Sequence, residues 1–290
     1  MTDVVQASLS GAMLGGLYGM MAIGLSVAWG LLKLINLAHF GLILLSAYVT
    51  FEFTSTTGLD PLLALVITIP SFFVLGVAMH WAFDRLQVSE FNSLLVSFGL
   101  LLILVQAITN IWSADFQRIP AADNRYAAES VLIAGIALPL PRIIDLVAAL
   151  AVAAVAWHVL RSTYVGKALR AVGQDRDMAA AFGVDYRRVA TVAAGLSAST
   201  AALAGGLVAI GGGLFPGLAF EWFGIVFTVV ILGGIGNLLG SVGAGLLVGA
   251  VSGATATLWQ PSYALLVTFL VLVLALVFRP HGLFGHSRAS

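Results

Sequence analysis

Long apolar segments recur along almost the whole chain, and they constrain its fold more than any other feature. We predict nine of them, each near the roughly 20 residues that an α-helix needs to cross a bilayer. Their ranges are 5–31, 34–54, 61–83, 93–112, 142–161, 188–212, 219–239, 240–257 and 261–279. The sequence therefore predicts an all-α, polytopic transmembrane helical bundle. Because glycine and asparagine interrupt some segments, the alternative is eight spans with one re-entrant segment.

Composition agrees with a membrane bundle. Hydrophobic residues make up 60% of the chain and charged residues 9%, whereas a soluble domain carries about 25% charge. The net charge of zero gives no indication of nucleic-acid binding. The absence of cysteine excludes disulfides, a thiol nucleophile and a cysteine metal site. No basic region precedes the first apolar segment, so we expect a retained span rather than a cleaved signal peptide.

One charged segment, GKALRAVGQDRDMAAAFGVDYRR at residues 166–188, stands out from this background, with eight charged residues among 23. Six of the 13 Lys and Arg residues lie between 161 and 188. Short loops rich in Lys and Arg face the cytoplasm, so this loop is predicted to be cytoplasmic. With nine spans, the N-terminus then lies outside, the C-terminus is cytoplasmic, and loop 113–141 faces outside.

The order of residues inside the charged segment predicts a short surface helix. Asp175 can cap its N-terminus, and Asp177 falls in its first turn, where a negative charge meets the positive end of the helix. Met178 and Phe182 are four residues apart and share a face. Gly183 follows where a left-handed C-terminal cap is needed. Such a helix can insert apolar anchors into a partner; the alternative is an ordinary positive-inside loop.

Several kinds of chemistry have no support in the sequence. No carboxylate lies at the middle of a predicted span, where a proton relay would need one. Neither an HExxH zinc motif nor a GxSxG nucleophile motif occurs, and GxxxxGK[ST], the phosphate-binding loop, is also missing. We therefore predict that the chain is not an enzyme, and an intramembrane enzyme and proton-coupled transport are both disfavoured.

Polar residues within the spans are the candidates for a solute path. Asn36 and His39 lie in LINLAHFG, an apparent helix break, and broken helices are tolerated where they line a cavity. His39 makes either a structural hydrogen bond across the break or a direct contribution to the path. No second ligand lies at a suitable spacing from it, so metal binding is not expected.

Two further pairs complete the predicted path. Gln106 and Asn110 are spaced i, i+4 on one helix face. They either hydrogen-bond to a neighbouring helix or line the path. GGGLFPGLAFEW at 211–222 contains Phe215, which could shape an outer gate, and Glu221. The alternative for this stretch is an irregular loop.

Glycine-rich segments suggest an internal repeat. Residues 24–49 and 224–251 each contain an apolar run, a polar break near Asn36 or Asn237, and then a second apolar run that begins with glycine. The alternative is chance similarity. The glycines at 233, 234, 236 and 240 permit either close helix packing or an unwound stretch, and the Gly245–Gly249–Gly253 spacing favours packing.

The charged segment also resembles a known family. DMAAAFG at 177–183 is similar to the cytoplasmic acidic-Ala-Ala…Gly motif of ABC importer permeases, with Asp177 in place of the usual Glu. The wider block 163–189 resembles the corresponding loop of LivH-type permeases, which belong to branched-chain amino acid importers. Blocks 24–48 and 229–249 extend this resemblance over nearly the whole chain.

The resemblance implies one transmembrane permease domain over residues 1–290, with a cytoplasmic coupling loop at 162–188, in the bacterial inner membrane. It implies three kinds of partner: a second permease (LivM-like, or a second copy), two cytoplasmic ATPase subunits, and an external solute-binding protein. ATP and Mg would be bound by the ATPases and no cofactor by this chain. The residues expected to dock the ATPase are Arg170, Asp175, Asp177, Met178, Ala179, Phe182 and Gly183.

The substrate implied is a branched-chain amino acid or a related small polar solute. Urea, amides or small organic acids are the alternatives within the same family. A passive channel or a secondary transporter is the alternative outside it, although the predicted docking helix argues against a simple channel.

Overall fold

A computed structural model of the chain describes residues 2–133, 135–280 and 282–285. It contains a bundle of helices and one small β-hairpin, which confirms the predicted all-α membrane class. The helices are α1 (Thr2–Leu32), α2 (Ala38–Thr57), α3 (Pro61–Arg85), α4 (Glu90–Trp112), α5 (Leu140–Ser162), α6 (Tyr164–Gln174), α7 (Arg176–Ala181), α8 (Tyr186–Gly211), α9 (Leu218–Gly233), α10 (Leu238–Leu258) and α11 (Ser262–Phe278). Residues 1 and 286–290, whose sides of the membrane were predicted from the sequence, lie outside the described residues.

Each of the nine predicted apolar segments overlaps a helix of the structure. Within the described part of the chain, six helices are long and apolar enough to cross a membrane: α1, α3, α4, α5, α8 and α10. Two shorter apolar helices lie at Leu218–Gly233 and Tyr263–Phe278. The predicted seventh segment, 219–239, is interrupted within the structure. Its helix ends at Gly233 because Gly234 has a φ of 84°, which a right-handed helix cannot accommodate.

The centre of the bundle is the packing of α1 against α10. Gly11 lies against Gly249 and Gly15 against Gly245, so the two helices are antiparallel. A Cβ atom on Gly15 would overlap the carbonyl oxygen of Gly245, and one on Gly253 would overlap α1 in the same way. These glycines let the two backbones touch. The predicted packing role of Gly245, Gly249 and Gly253 is confirmed.

The two predicted breaks lie next to each other. The first separates α1 from α2, the second separates α9 from α10, and Gly30 packs against Gly236 between them. The sequence left two roles open for the glycines at 233, 234, 236 and 240, close packing or an unwound stretch, and both occur. Gly234 and Gly236 are unwound, each with a φ of 84°, while Gly233 packs closely against Gly240. The helix–break–helix layout shared by the two segments is therefore present in the fold.

The region after α4 is more ordered than the sequence suggested. A β-hairpin, formed by β1 (Ser130–Ile133) and β2 (Ile136–Pro139), leads directly into α5. Gln117 pairs through its backbone with Leu214, in the turn between α8 and α9, at 2.8 and 2.7 Å. Arg125 forms an ion pair with Asp60 at 3.0 Å. These contacts fix the segment over the end of the bundle opposite the charged segment.

Candidate functional site

The charged segment folds as two short helices, α6 and α7, before the chain enters α8. The hydroxyl of Thr163 accepts a hydrogen bond from the Gly166 backbone N–H at 3.1 Å and so caps α6. Leu169 and Val172 are buried on its inner face. Sequence reasoning missed this helix, although apolar residues at 165, 168, 169 and 172 have the i, i+3, i+4, i+7 spacing of an amphipathic helix.

Helix α7 begins and ends where its sequence predicted. The Asp175 carboxylate accepts a hydrogen bond from the Met178 backbone N–H at 2.9 Å. Asp177 lies in the first turn. Gly183 has a φ of 81° and donates its backbone N–H to the Ala180 carbonyl at 2.9 Å. Asp185 then caps α8 by accepting from the Arg187 backbone N–H at 3.0 Å. The predicted cap–helix–glycine pattern is confirmed as structure.

The two faces of α7 differ in exposure. Phe182 is 83% exposed and Met178 is 57% exposed, which agrees with the prediction that they share one face. Ala179 is only 5% exposed and belongs to a buried cluster with Leu169 and Val189. Arg170 projects from the exposed face of α6. The result is an apolar tip held on a packed base, which is the form of an anchor for a partner.

One ion pair joins the start of α8 to the end of α3, and a second lies within the start of α8 itself. Arg187 lies 3.8 Å from Asp84, and Arg188 lies 3.1 Å from Asp185. Both pairs are solvent-exposed, so each contributes at most about 1 kcal/mol. The guanidinium of Arg176 stacks on the Tyr186 ring, 3.6 Å from its centroid.

The break between α1 and α2 is held by a residue that the sequence analysis did not select. The hydroxyl of Ser97 on α4 accepts a hydrogen bond from the Leu37 backbone N–H at 3.0 Å. It donates a hydrogen bond to the Ile35 carbonyl at 3.2 Å. These bonds satisfy backbone groups that a helix break leaves unpaired. A single serine within an apolar helix carries no sequence signal for this role.

His39 and Asn36 lie at this break, as predicted. His39 is fully buried, and its Nε2–H donates to the carbonyl of Met21 at 3.1 Å, a structural bond across the break. Met21 lies 11 residues before the end of α1, so α2 begins about 16 Å inside the end of that helix. The side-chain oxygen of Asn36 is buried, without a hydrogen-bond partner among the described residues.

Two adjoining cavities lie between the break and the charged segment. The inner one has a volume of about 30 Å³ and is lined by Asn36, Ser197 and His80, among others. It can hold about two water molecules but no amino acid. The outer one, of about 310 Å³, shares His80 with the inner one and is lined by Arg176 and Arg187. The first residues of α7 and α8 therefore form a wall of the outer cavity, which leads to the break.

The remaining predicted path residues lie elsewhere. Gln106 and Asn110 are exposed on α4, and they hydrogen-bond to each other at 2.9 Å rather than to a neighbouring helix. Phe215 lies in the turn before α9, and Glu221 is exposed in the first turn of α9. The six predicted path residues thus occupy three places: the break, one face of α4, and the far end of the bundle.

No group of three His, Asp or Glu side chains within the described ranges lies close enough together to hold an ion.

Comparison with known proteins identifies the family. The model of the branched-chain amino acid transport system / permease component family matches residues 8–276. The chain belongs to this family. The LivH-type resemblance deduced from the charged segment is thereby confirmed, and the long apolar helices make the permease a multi-pass membrane protein.

Curated relatives match the permease over almost its full length. The permease protein BraD of a high-affinity branched-chain amino acid transport system in Pseudomonas aeruginosa is 26% identical over 300 residues, covering 99% of this chain and 97% of its own. The LivH permease protein of Escherichia coli K12 is 26% identical and that of Salmonella typhimurium 25%, each over 303 residues with the same coverage. No solved structure matches the permease.

Proposed function

We propose that this permease is the membrane-spanning subunit of an ATP-driven importer for branched-chain amino acids, delivered by an external binding protein. One observation carries the proposal: α7 presents Phe182 and Met178 to solvent on a capped, packed helix. Exposed aromatic and thioether side chains on a fixed helix are suited to a hydrophobic groove on a partner. The names of the full-length relatives support the substrate class.

The energy would come from partners. Two ATPase subunits, which bind ATP and Mg, dock on α7 and the exposed face of α6, and a second permease completes the path. A rigid helix transmits a displacement, whereas a flexible loop absorbs it. Because Ala179 anchors α7 and Arg176 and Arg187 line the outer cavity, a push on Phe182 would move the wall of that cavity.

We further propose nine spans, with the N-terminus outside and the charged segment and C-terminus cytoplasmic. The basic residues of the charged segment support this orientation. The antiparallel contacts Gly11–Gly249 and Gly15–Gly245 support the count up to α10. If only one of α2 and α9 were re-entrant, α1 and α10 would cross the membrane in the same direction.

The substrate path would pass the break. The N-terminus of α2 lies inside the bundle beside His39 and Asn36, and a helix N-terminus attracts a carboxylate, which every amino acid carries. Gln106 and Asn110 would face the path from α4, because an exposed amide pair at membrane depth is unfavourable against lipid. Phe215 and Glu221 would form its outer entrance.

Reconstituted uptake tests the proposal. The permease is assembled in proteoliposomes with its ATPases, second permease and binding protein, and leucine uptake is measured with and without ATP. Loss of the exposed anchor in Phe182→Ala should lower ATP-dependent uptake roughly tenfold, as for an interface hot spot. Phe278→Ala is the matched control, because Phe278 is 80% exposed at the end of α11, outside the docking element.

Two results would overturn the proposal. Undiminished leucine uptake without ATP or ATPases would establish a channel or secondary transporter. Uptake of urea, amides or organic acids in place of leucine would retain the importer and reject the substrate class.

A further inference from the structure

The outer cavity, between the turn that joins α3 to α4 and the first residues of α7 and α8, has the lining of a site for a small charged solute. Its volume is about 310 Å³, which lies within the range of ligand sites. Polar and charged residues outnumber apolar ones in the lining, and they include Asp84, Arg176 and Arg187. Charged groups on the wall favour a solute that carries charges of its own over a hydrocarbon chain.

Both signs of charge are present on the wall, and neither is fully engaged. The Arg187 Nε lies 3.8 Å from the Asp84 carboxylate. This distance exceeds the roughly 2.7–2.9 Å of a charge-assisted hydrogen bond, so both groups retain capacity for a ligand. The face of the Arg176 guanidinium lies on the Tyr186 ring, which leaves the N–H groups at its edge free to donate. Two cations and one carboxylate therefore line one cavity.

This set of groups complements a free amino acid. Guanidinium groups such as those of Arg176 and Arg187 donate paired N–H groups to a carboxylate. The Asp84 carboxylate complements an ammonium group, and Phe83 and Val88 supply apolar surface for an aliphatic side chain. A simple anion would meet the repulsion of Asp84 without any compensating contact. The lining therefore favours a zwitterion over an anion.

The turn between α3 and α4 places a further polar group at this cavity. Gln87 lines it, and its side chain is exposed. Its φ is 50°, in the left-handed region that residues other than glycine rarely adopt. Backbone strain of this kind is common at ligand sites. The Gln87 amide offers both an acceptor and donors, so it can hydrogen-bond to either charged group of an amino acid.

We propose that the outer cavity binds the transported amino acid on the side of the membrane where it is released. This inference rests on the function proposed above, because it takes the transported solute as the ligand. The outer cavity shares Leu34, His80 and Phe83 with the inner one, so it continues the path from the break. The inner cavity is too small for an amino acid, whereas the outer one is large enough. With the orientation proposed above, the outer cavity opens to the cytoplasm.

A ligand in this cavity bridges two parts of the permease. Arg176 and Arg187 belong to α7 and α8, whereas Asp84 and Gln87 belong to the end of α3 and the turn that follows it. The bound amino acid adds contacts between the docking element and the bundle. Because a ligand stabilises the state that binds it, an accumulated product holds α7 in its present position. High cytoplasmic product should therefore slow the ATPase cycle.

Leucine binding to the purified full-length permease tests the proposal. The dissociation constant is measured by ligand-observed NMR titration and should lie in the millimolar range, because the charged groups are exposed. Arg187→Gln removes one cation from the lining and should weaken binding roughly tenfold. Arg188→Gln is the matched control, because Arg188 is also exposed at the start of α8 but lies outside the lining. Equal binding by the two variants, or none by wild type, overturns the proposal.

Two leucine analogues test the role of each charge. 4-Methylpentanoate lacks the amino group and 3-methylbutylamine lacks the carboxylate, so each should bind wild type roughly tenfold more weakly than leucine. Asp84→Asn should weaken leucine binding and leave 4-methylpentanoate binding unchanged or stronger. If Asp84→Asn keeps the wild-type preference for leucine, Asp84 does not bind the ammonium group and the assignment of a zwitterion is wrong.

The assembled importer separates this inference from the proposed function. The complex is placed in nanodiscs, where both faces are accessible, and its binding protein is kept saturated with leucine. Further leucine should lower the ATPase rate of wild type and Arg188→Gln, and should affect Arg187→Gln several-fold less. ATP-dependent leucine uptake is measured in proteoliposomes from the same preparation. Uptake with an ATPase rate that is insensitive to added leucine overturns only the product site, whereas the absence of leucine uptake by wild type rejects the proposed function.

Discussion

The carboxylate of Asp175 accepts a hydrogen bond from the backbone N–H of Met178 at 2.9 Å. This bond closes the first turn of α7, a helix of only six residues. Helices this short are not stable on their own, so α7 depends on its caps and on the packing of Ala179. Asp175 therefore determines how firmly Met178 and Phe182 are presented to a partner.

Removal of this cap should weaken coupling more than assembly. Asp175→Ala loses the side-chain acceptor and should destabilise α7 by about 1 kcal/mol, which lowers ATP-dependent uptake several-fold. Asp175→Asn keeps a capping oxygen and should behave like wild type. Both variants are compared by the uptake rate at equal amounts of assembled complex. If the alanine and asparagine variants transport equally, the cap has no role in coupling.

Gly183 should be required for its backbone conformation alone. Its φ is 81°, and a Cβ atom added to it would have no other atom within 4 Å, so a side chain there meets no steric obstacle. Gly183→Ala should cost on the order of 1–2 kcal/mol through the left-handed conformation and displace Phe182. Gly58→Ala is the control, because Gly58 has a φ of 68° and equally open surroundings at the end of α2.

The two alanine variants separate stability from coupling. Both should lower the thermal midpoint of the purified chain by a similar amount, since the backbone penalty is the same. Only Gly183→Ala should reduce the ATPase activity that the permease stimulates in its partners. An equal loss with Gly58→Ala would show that the effect of the Gly183 variant is general destabilisation.

The α1–α10 contact should tolerate no added atom. Gly15→Ala places a methyl group on the carbonyl oxygen of Gly245, and such overpacking costs about 1–3 kcal/mol. Gly99→Ala adds the same methyl group to α4 where no atom lies within 4 Å, and it should be neutral or stabilise by up to about 1 kcal/mol. Fluorescence-detected size-exclusion melting measures both. A Gly15→Ala protein as stable as wild type would contradict the backbone contact.

Local features of this fold could be predicted from the sequence, and distant ones could not. The caps of α7 and of the start of α8 depend on residues two or three positions apart, so Asp175, Gly183 and Asp185 predicted them directly. Helix α6 was not predicted, although the spacing of Leu169 and Val172 typical of an amphipathic helix was present in the sequence. Each of the nine apolar segments overlaps a helix in the described part of the chain, because membrane helices must satisfy their backbone internally.

The candidate site was only partly predictable, for a physical reason. Asn36 and His39 were correctly assigned to a break, because the interruption of an apolar run is visible locally. The partner that holds the break, Ser97, is 60 residues from Leu37, and its contact depends on how α4 packs against α2. The same packing of α4 determines whether Gln106 faces a neighbouring helix. No local pattern could therefore predict that Gln106 bonds to Asn110 instead.

The Ser97 contact leads to a prediction for the break. Ser97→Ala leaves the buried N–H of Leu37 without its acceptor, which costs about 1–3 kcal/mol. The thermal midpoint and leucine uptake should both fall, because the start of α2 and His39 lose their support. Ser71→Ala is the control, since the Ser71 hydroxyl is exposed and bonds only to the Ile67 carbonyl of its own helix at 2.9 Å. If Ser97→Ala melts and transports like Ser71→Ala, α4 does not hold the break.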